Sequence, residues 1–336
     1  MPHHVRIQPS GLAFLVESGE TVLEAAWRQG IQLPYGCRSG HCGACGAELR
    51  SGRVYYPDGP PSALTEAAQH AILCRAVPET DCEFGIREID SGDAVAIRSL
   101  AARVTAREDL APDVTRLWLR LPASEWLRFS AGQYVDLLLR DGHRRSYSLA
   151  NPPEVADRLE LHVRRLAGGH FSEHLFARIT EKSLLRFEGP LGSFYLREDS
   201  GRPLIMMGGG TGFAPIKSMV EHALARGLER PLHLFWGVRA RRDLYLGELA
   251  ARWAREHERV TFTPVLSAPA STDDWPGTVG FVHEAVLACY PDLSGHEVYM
   301  AGPPGMVAAS RQRFATAGLP AQHLYFDAFE SAPDGR

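Results

Sequence analysis

Four cysteines constrain this chain more than any other feature. Three lie in one loop, Cys37-Arg38-Ser39-Gly40-His41-Cys42-Gly43-Ala44-Cys45, and the fourth, Cys74, follows at a distance. The spacing C-x4-C-x2-C with a remote fourth thiol suits a [2Fe–2S] cluster, whose two sulfide-bridged irons need four thiolates. Gly36, Gly40, Gly43 and Gly46 let the loop wrap closely where a Cβ would collide. Zinc competes for four cysteines, but a structural zinc site draws on two short pairs, not on three clustered thiols and a lone one. A disulfide framework belongs to small secreted domains, and nothing here resembles one. The spacing therefore predicts Cys37, Cys42, Cys45 and Cys74 as cluster ligands. Cys82 and Cys289 receive no role, since lone cysteines usually serve as small buried hydrophobes.

Around these cysteines, residues 1–90 give the order of a small mixed fold. Val5–Val16 reads as two strands around Pro9-Ser10-Gly11. Glu20–Arg28 reads as a helix with Val22, Leu23, Ala26 and Trp27 on one face and Gly30 as its stop. Strands at Ala47–Leu49 and Arg53–Tyr55 follow, then a short helix near Thr65–His70, then a ligand strand Ile72-Leu73-Cys74. Cysteines and element order together resemble the plant-type ferredoxins, which implies a β-grasp (α+β) fold.

At 336 residues the chain is too long for one core, so two or three domains are expected. Its net charge of −4 gives no basic excess for nucleic acid. No run of 18 apolar residues suggests a membrane span, and the first residues lack the apolar stretch of a signal peptide. Free thiols reserved for a cluster favour a reducing compartment, so a cytoplasmic protein is expected. The polar stretch Arg87–Arg98 is the expected first linker, and a second boundary falls near Glu198–Pro203.

Residues 99–198 contain many short apolar runs, Val114–Leu121, Tyr134–Leu139, Leu159–Arg164 and Leu184–Glu188, with one helix pattern at Ser172–Ile179. That composition predicts a small antiparallel barrel. Two motifs stand in it: Arg145-Ser146-Tyr147-Ser148, and Gly168-Gly169-His170-Phe171-Ser172 opening the helix. Together they resemble the flavin domain of the ferredoxin–NADP reductase superfamily. A helix N-terminus preceded by glycines can receive the flavin pyrophosphate, and Arg145 can add a charge-assisted contact to it. The resemblance further implies that Tyr147 lies against the isoalloxazine ring and that Ser148 hydrogen-bonds near N5, where hydride arrives. Gly168, Gly169, Phe171 and Ser172 would line the phosphate end. His162, Val163 and Arg164 match the strand whose backbone runs beside the flavin tail. FAD is favoured over FMN because FMN-carrying relatives place the ferredoxin last.

Residues 202–332 alternate strand and helix, beginning with Leu204-Ile205-Met206-Met207 and continuing through strands at 232–237, 261–266, 297–301 and 324–326. Such alternation predicts a parallel doubly wound sheet. The first strand runs into Gly208-Gly209-Gly210-Thr211-Gly212-Phe213-Ala214-Pro215, which resembles the superfamily's variant dinucleotide loop. Gly209, Gly210, Thr211 and Gly212 would admit a pyrophosphate to the backbone. Gly302 and Pro303, in Ala301-Gly302-Pro303-Pro304, would complete the site. The family usually carries cysteine before G-P-P, near the nicotinamide C4. Ala301 therefore removes any thiol role there. The run Gly237-Val238-Arg239-Ala240-Arg241-Arg242-Asp243-Leu244-Tyr245 favours NADH over NADPH, although its arginines leave NADPH open. Phe329, or alternatively Phe326, matches the family's terminal aromatic beside the flavin.

Taken together, the three segments resemble ferredoxin-fused NADH reductases over essentially the whole chain. The implied activity is electron transfer from NADH through FAD and the [2Fe–2S] cluster to a protein acceptor. That acceptor would be the oxygenase component of a multicomponent (Rieske or related) oxygenase. The alternative is CDP-6-deoxy-3,4-glucoseen reductase serving a PMP-dependent dehydrase, to which Gly209–Glu221 and Gly280-Phe281-Val282-His283 look similar. A redox-sensing or electron-carrier subunit is the reading of another class, but a mere carrier needs only the first segment.

Overall fold

The computed structural model describes residues 1–64, 69–86, 96–139, 142–155, 157–165 and 179–329. The chain divides into two compact units, one of Met1–Ala96 with Gly192–Phe194 and one of Ile97–Leu191 with Tyr195–Arg336.

The first unit opens with the hairpin β1 (His3–Gln8) and β2 (Ala13–Val16), followed by α1 (Val22–Arg28). Thr21 and Glu24 form a reciprocal capping box at the start of α1, and Arg28 in its last turn pairs with Glu20 at 2.8 Å. The remaining strands are β3 (Gly46–Ser51), β4 (Val54–Tyr55), β5 (His70–Ile72), β6 (Val77–Pro78) and β7 (Cys82–Gly85). The main sheet runs β2-β1-β7-β3-β5, with β1 and β7 parallel in the centre and antiparallel pairs outside them. Buried Val22, Leu23, Ala25 and Ala26 of α1 share one core with Val5, Ile7, Phe14, Ile72 and Phe84. This is the β-grasp arrangement. Two local expectations change. Cys74 sits in the turn after β5, not on a strand, and His70 opens β5 instead of closing a helix. The rest of that expected helix, residues 65–68, and most of the expected linker lie outside the described residues.

The second unit holds two sheets. Strands β8 (Arg98–Ala111), β9 (Val114–Arg120), β10 (Tyr134–Leu138), β11 (Arg144–Ser148), β12 (Arg158–Arg164) and β13 (Leu184–Leu191) are antiparallel in the order β11-β10-β13-β8-β9-β12. A bridge between Leu149 and Leu161 joins the two ends, so the sheet closes into a barrel around Val104, Leu117, Leu137, Leu161 and Phe187. The helix expected at Ser172–Ile179 lies outside the described residues, apart from its last residue.

The other sheet is wholly parallel: β14 (Leu204–Gly209), β15 (Leu232–Val238), β16 (Val260–Leu266), β17 (Thr278–Val279), β18 (Glu297–Gly302) and β19 (Leu324–Ala328). Its order is β17-β16-β15-β14-β18-β19. Helices α2 (Phe213–Ala225), α3 (Gly247–Glu256), α4 (Val282–Cys289) and α5 (Pro304–Thr316) connect the strands. Every residue of β14 and β18 is buried, which explains their unbroken apolar runs. Strand order reverses at β14, whose neighbours β15 and β18 lie on opposite sides. A crevice therefore opens at the carboxyl ends of β14 and β18, where such sheets bind ligands. Two-residue β17 was too short to be read from the sequence. Among the described residues no helix is long and apolar enough to cross a membrane.

Candidate functional site

In the first unit the four cysteines stand as two pairs, Cys37 with Cys42 and Cys45 with Cys74. The loop directs backbone amides at sulfur: Cys37 N–H donates to Cys42 Sγ (3.4 Å), Cys42 N–H to Cys37 Sγ (3.3 Å) and Ala44 N–H to Cys42 Sγ (3.4 Å). Gly40 has φ +86°, and a Cβ there would lie 2.7 Å from Pro61 Cβ, so the loop's tightness depends on that glycine. Hydrogen bonding from the Cys42 thiol pulls the Cys37 thiol down to about 4. Cys42 and Cys45 are pushed up, first by their paired thiols and then by burial. Among the described residues no three His, Cys, Asp or Glu side chains converge on one point that could hold an ion. Two thiol pairs with amides aimed at sulfur suit a [2Fe–2S] cluster, whose two irons each take two thiolates. Cys82 is buried as the first residue of β7, and Cys289 is exposed.

In the second unit, β11 carries the flavin motif antiparallel to β10, with Leu137 opposite Arg145, Asp136 opposite Ser146, Val135 opposite Tyr147 and Tyr134 opposite Ser148. Strand alternation puts Arg145 and Tyr147 on one side and Ser146 and Ser148 on the other. Ser146 Oγ donates to buried Asp136 at 2.7 Å, which fixes the strand and spends that hydroxyl. Arg145 Nη1 donates to the Arg144 carbonyl at 2.9 Å. The Tyr147 hydroxyl is pushed up by burial, with Arg145 pulling the other way, and stays protonated. Ser148 is buried at the strand's end. Gly168, Gly169, Phe171 and Ser172 lie outside the described residues.

On β12, His162 is buried and both ring nitrogens are engaged, Nε2 with Glu160 Oε1 at 2.9 Å and Nδ1 with the Tyr245 hydroxyl at 3.1 Å. Its imidazole is committed within the protein, so only its backbone is left to a flavin. Val163 packs in the barrel core. Arg164 pairs with Asp113 at 2.9 Å, and its Nη1 lies 2.7 Å from where a Cβ on Gly210 would stand. The barrel's arginine therefore covers the glycine loop.

That loop leaves β14 at Gly209, forms a single 3-10 turn over Gly210–Gly212 and enters α2 at Phe213. A Cβ on Gly212 would come within 1.9 Å of the Ala301 carbonyl oxygen. One on Gly209 would meet Met306 Sδ at 2.5 Å and Pro303 Cδ at 2.9 Å. The glycines thus let the ends of β14 and β18 close on each other, forming a backbone-lined cradle. Trp236, buried on β15, stacks on Phe213 with ring centroids 3.8 Å apart, and its Nε1–H donates to the Gly210 carbonyl at 2.9 Å. Thr211 is half-buried in the loop. Phe329 N–H donates to the Gly302 carbonyl at 2.8 Å, which places Phe329 at the crevice beside Gly302 and Pro303. Phe326 is instead capped by Arg311, 4.5 Å from its ring centre. Arg241 is held by Asp273 (3.2 Å from its N–H), and Asp243 accepts from Ala240 N–H at 3.1 Å.

One group escaped the sequence reading. Buried Lys217 on α2 and Glu160 on β12, with half-buried Tyr245 before α3, form a polar network with buried His162. Burial pushes the Glu160 carboxyl up, but His162 and Lys217 outweigh it and hold the group at about 2. Burial pushes His162 down, so its ring is neutral, with Nε2–H donating to the carboxylate and Nδ1 accepting from the tyrosine.

Thiol pairs, a flavin-type barrel strand and a glycine-lined crevice in one chain define a class, the NAD(P)H-dependent oxidoreductases that carry flavin and iron–sulfur centres. Comparison with known proteins agrees. Residues 5–79 match the 2Fe-2S iron-sulfur cluster binding domain, 101–195 the oxidoreductase FAD-binding domain and 206–312 the oxidoreductase NAD-binding domain. The chain is 38% identical to a CDP-6-deoxy-L-threo-D-glycero-4-hexulose-3-dehydrase reductase of Yersinia pestis, over 98% of this chain and 99% of that one. It is 36% identical to a terephthalate 1,2-dioxygenase reductase component of Comamonas, over 100% and 99%. Among solved structures, a cytochrome P450 reductase of Amycolatopsis is 36% identical with a TM-score of 0.79, over 98% and 99% of the two chains. The chain belongs to the family of ferredoxin-fused flavoprotein reductases, electron-transfer enzymes that use FAD, a [2Fe–2S] cluster and a nicotinamide dinucleotide.

Proposed function

We propose that this reductase takes electrons from NADH and passes them one at a time to the oxygenase component of a multicomponent oxygenase, in the cytoplasm. The observation that carries the reading is the coexistence of two thiol pairs, the β11 flavin motif and the glycine cradle in one chain. When bound, FAD accepts hydride from NADH, and the [2Fe–2S] cluster carries single electrons onward.

The chain's own residues supply binding and orientation. Arg145, with Gly168, Gly169, Phe171 and Ser172, holds the flavin phosphates. Tyr147 and Phe329 would lie against the flavin ring, and Ser148 would supply a hydrogen bond near its N5. The backbone of His162, Val163 and Arg164 flanks the tail. Gly209, Gly210, Thr211 and Gly212, with Gly302 and Pro303, receive the dinucleotide. Cys37, Cys42, Cys45 and Cys74 hold the cluster. Three domains divide this labour, at about 1–90, 99–198 and 202–332.

A dehydrase of deoxysugar synthesis is the second acceptor, favoured by the identity to the Yersinia reductase and by the Gly209–Glu221 run. The test is reconstitution of the purified holoprotein with NADH and either a Rieske-type oxygenase or a PMP-dependent dehydrase. Product formed only with the dehydrase would reject the oxygenase assignment. NADPH turning over faster than NADH would reject the coenzyme assignment.

A further inference from the structure

Lys217 is 4% exposed, yet it is a cation on the first turns of α2, five residues beyond Gly212, where the glycine loop's last turn ends. All three ammonium protons are used: Nζ donates to Glu160 Oε2 (2.8 Å), Glu221 Oε2 (2.9 Å) and the Ala150 carbonyl (3.1 Å). Glu160 is 1% exposed and belongs to barrel strand β12, and Ala150 lies two residues beyond the β11 flavin motif. The next residue, Ser218, donates through Oγ to the Asn151 carbonyl at 2.7 Å. The start of α2 is thus tied to the chain segment that leaves the flavin strand.

The tie continues as a closed circuit. Glu160 Oε1 accepts from His162, and His162 accepts from the Tyr245 hydroxyl. The Tyr245 ring stands edge-on to Trp236 at 5.0 Å and to Phe213 at 6.1 Å. Trp236 in turn holds the Gly210 carbonyl at 2.9 Å. Both ends of the glycine loop are therefore fastened to one barrel strand, through Lys217 on one side and through Trp236, Tyr245 and His162 on the other. Stability alone does not account for the charges. Buried ion pairs are often matched or bettered by apolar residues of similar volume, whereas they do fix a single geometry.

We propose that Lys217 is a positioning residue that, with Glu160, His162 and Tyr245, clamps the dinucleotide loop to the flavin barrel and so sets the alignment of nicotinamide and flavin. This rests on the NADH-to-flavin reading above. A misplacement of about 1 Å can cost on the order of 10²-fold in rate, so the clamp's side chains act on turnover without themselves touching either cofactor.

The experiment compares wild type, Lys217→Met, Lys217→Arg, the charge-balanced Lys217→Met/Glu160→Gln, and Tyr245→Phe, all as holoprotein. Anaerobic stopped flow with NADH reads the limiting rate of flavin reduction per bound FAD. Hydrogen–deuterium exchange of residues 209–220, without NADH, reads the clamp independently of turnover. Lys217→Met and the double variant are expected to retain FAD, lose at least about tenfold in limiting rate and exchange faster over 209–220. Lys217→Arg should recover part of both, and Tyr245→Phe should show the same change to a smaller degree. Rates and exchange within twofold of wild type in Lys217→Met would overturn the proposal. So would loss of FAD from both Lys217→Met and the double variant, which would make the network a fold element only. If wild type itself fails to reduce flavin with NADH, the proposed function falls, while the exchange comparison still decides the clamp.

Discussion

Gly212→Ala should disable the dinucleotide site while sparing the flavin. Backbone conformation is not the obstacle, since Gly212 has an ordinary helical φ of −58°. The obstacle is space: the new methyl would stand 1.9 Å from the Ala301 oxygen, 2.4 Å from its carbonyl carbon and 2.8 Å from Gly302 N. Ordinary contact begins near 3.4 Å, so the methyl intrudes by roughly 1.5 Å, and every atom it meets is backbone of buried β18. No side chain can rotate away. The loop has to lift from the strand end, at a cost of about 1–3 kcal/mol for overpacking, and the cradle opens by a comparable distance. Displacement on that scale predicts a loss of about 10²-fold in NADH-driven ferricyanide reduction. Flavin content should hold, because the β11 motif belongs to the barrel. Gly201→Ala, where a Cβ would meet nothing within 4 Å, is the matched control and should behave as wild type. The assay is initial rate against NADH concentration, with FAD quantified per chain. Near-wild-type kcat/KM in Gly212→Ala would refute the reasoning, because the β14–β18 contact would then be dispensable.

Other outcomes are equally open to measurement. Cys74→Ser should lose iron and cytochrome c reduction while NADH–ferricyanide activity persists, because the two units have separate cores; equal loss of both activities would contradict that independence. Arg145→Ala should release FAD on dialysis while iron content stays at two per chain, and unchanged flavin would remove Arg145 from the site. His233 on β15 is pushed down to about 4 by burial, with Tyr290 and Thr263 each 2.9 Å from a ring nitrogen. Its folded-state pKa lies below the unfolded value of about 6.5. The unfolded chain therefore binds the proton first, and the contribution is full above about pH 6.5 and shrinks as pH falls toward 4. Because the ring is only half-buried, the effect should be about 1–2 kcal/mol, seen as a urea midpoint that falls less steeply with acid in His233→Gln.

Much of this architecture was legible because its signals are local. The cysteine spacing, the apolar face of α1 with Gly30 as its stop, the alternation of β9 and the unbroken apolar run of β14 each reflect near neighbours along the chain. The clamp was not legible for the opposite reason. In Leu159-Glu160-Leu161-His162, strand alternation sets Glu160 and His162 on a polar face, which ordinarily means solvent. Here that face is covered by α2, whose Lys217 lies 57 residues further on. A polar face is the same pattern whether water or a partner helix satisfies it. Arg164 over Gly210, and the Ala301 carbonyl against Gly212, likewise join segments that no short-range pattern connects. The turn position of Cys74 was missed because Ile72 and Leu73 are apolar and read as a continuing strand.

The pairing of the thiols has a consequence for how the first unit holds together. Cys37 and Cys42 belong to a single loop, but Cys45 finds its partner only beyond β3, β4 and β5, in the turn at Cys74. A cluster seated on both pairs is therefore a staple across the sheet. It closes a stretch of about 30 residues, comparable to a disulfide that contributes roughly 3–4 kcal/mol by restricting the unfolded chain. In a unit of fewer than a hundred residues with one modest core, that is a large share of the total. Iron supply and redox damage to the cluster should accordingly govern the lifetime of this unit in the cell, while the barrel and the parallel sheet survive as a flavin-bearing remnant that still oxidises a nicotinamide dinucleotide.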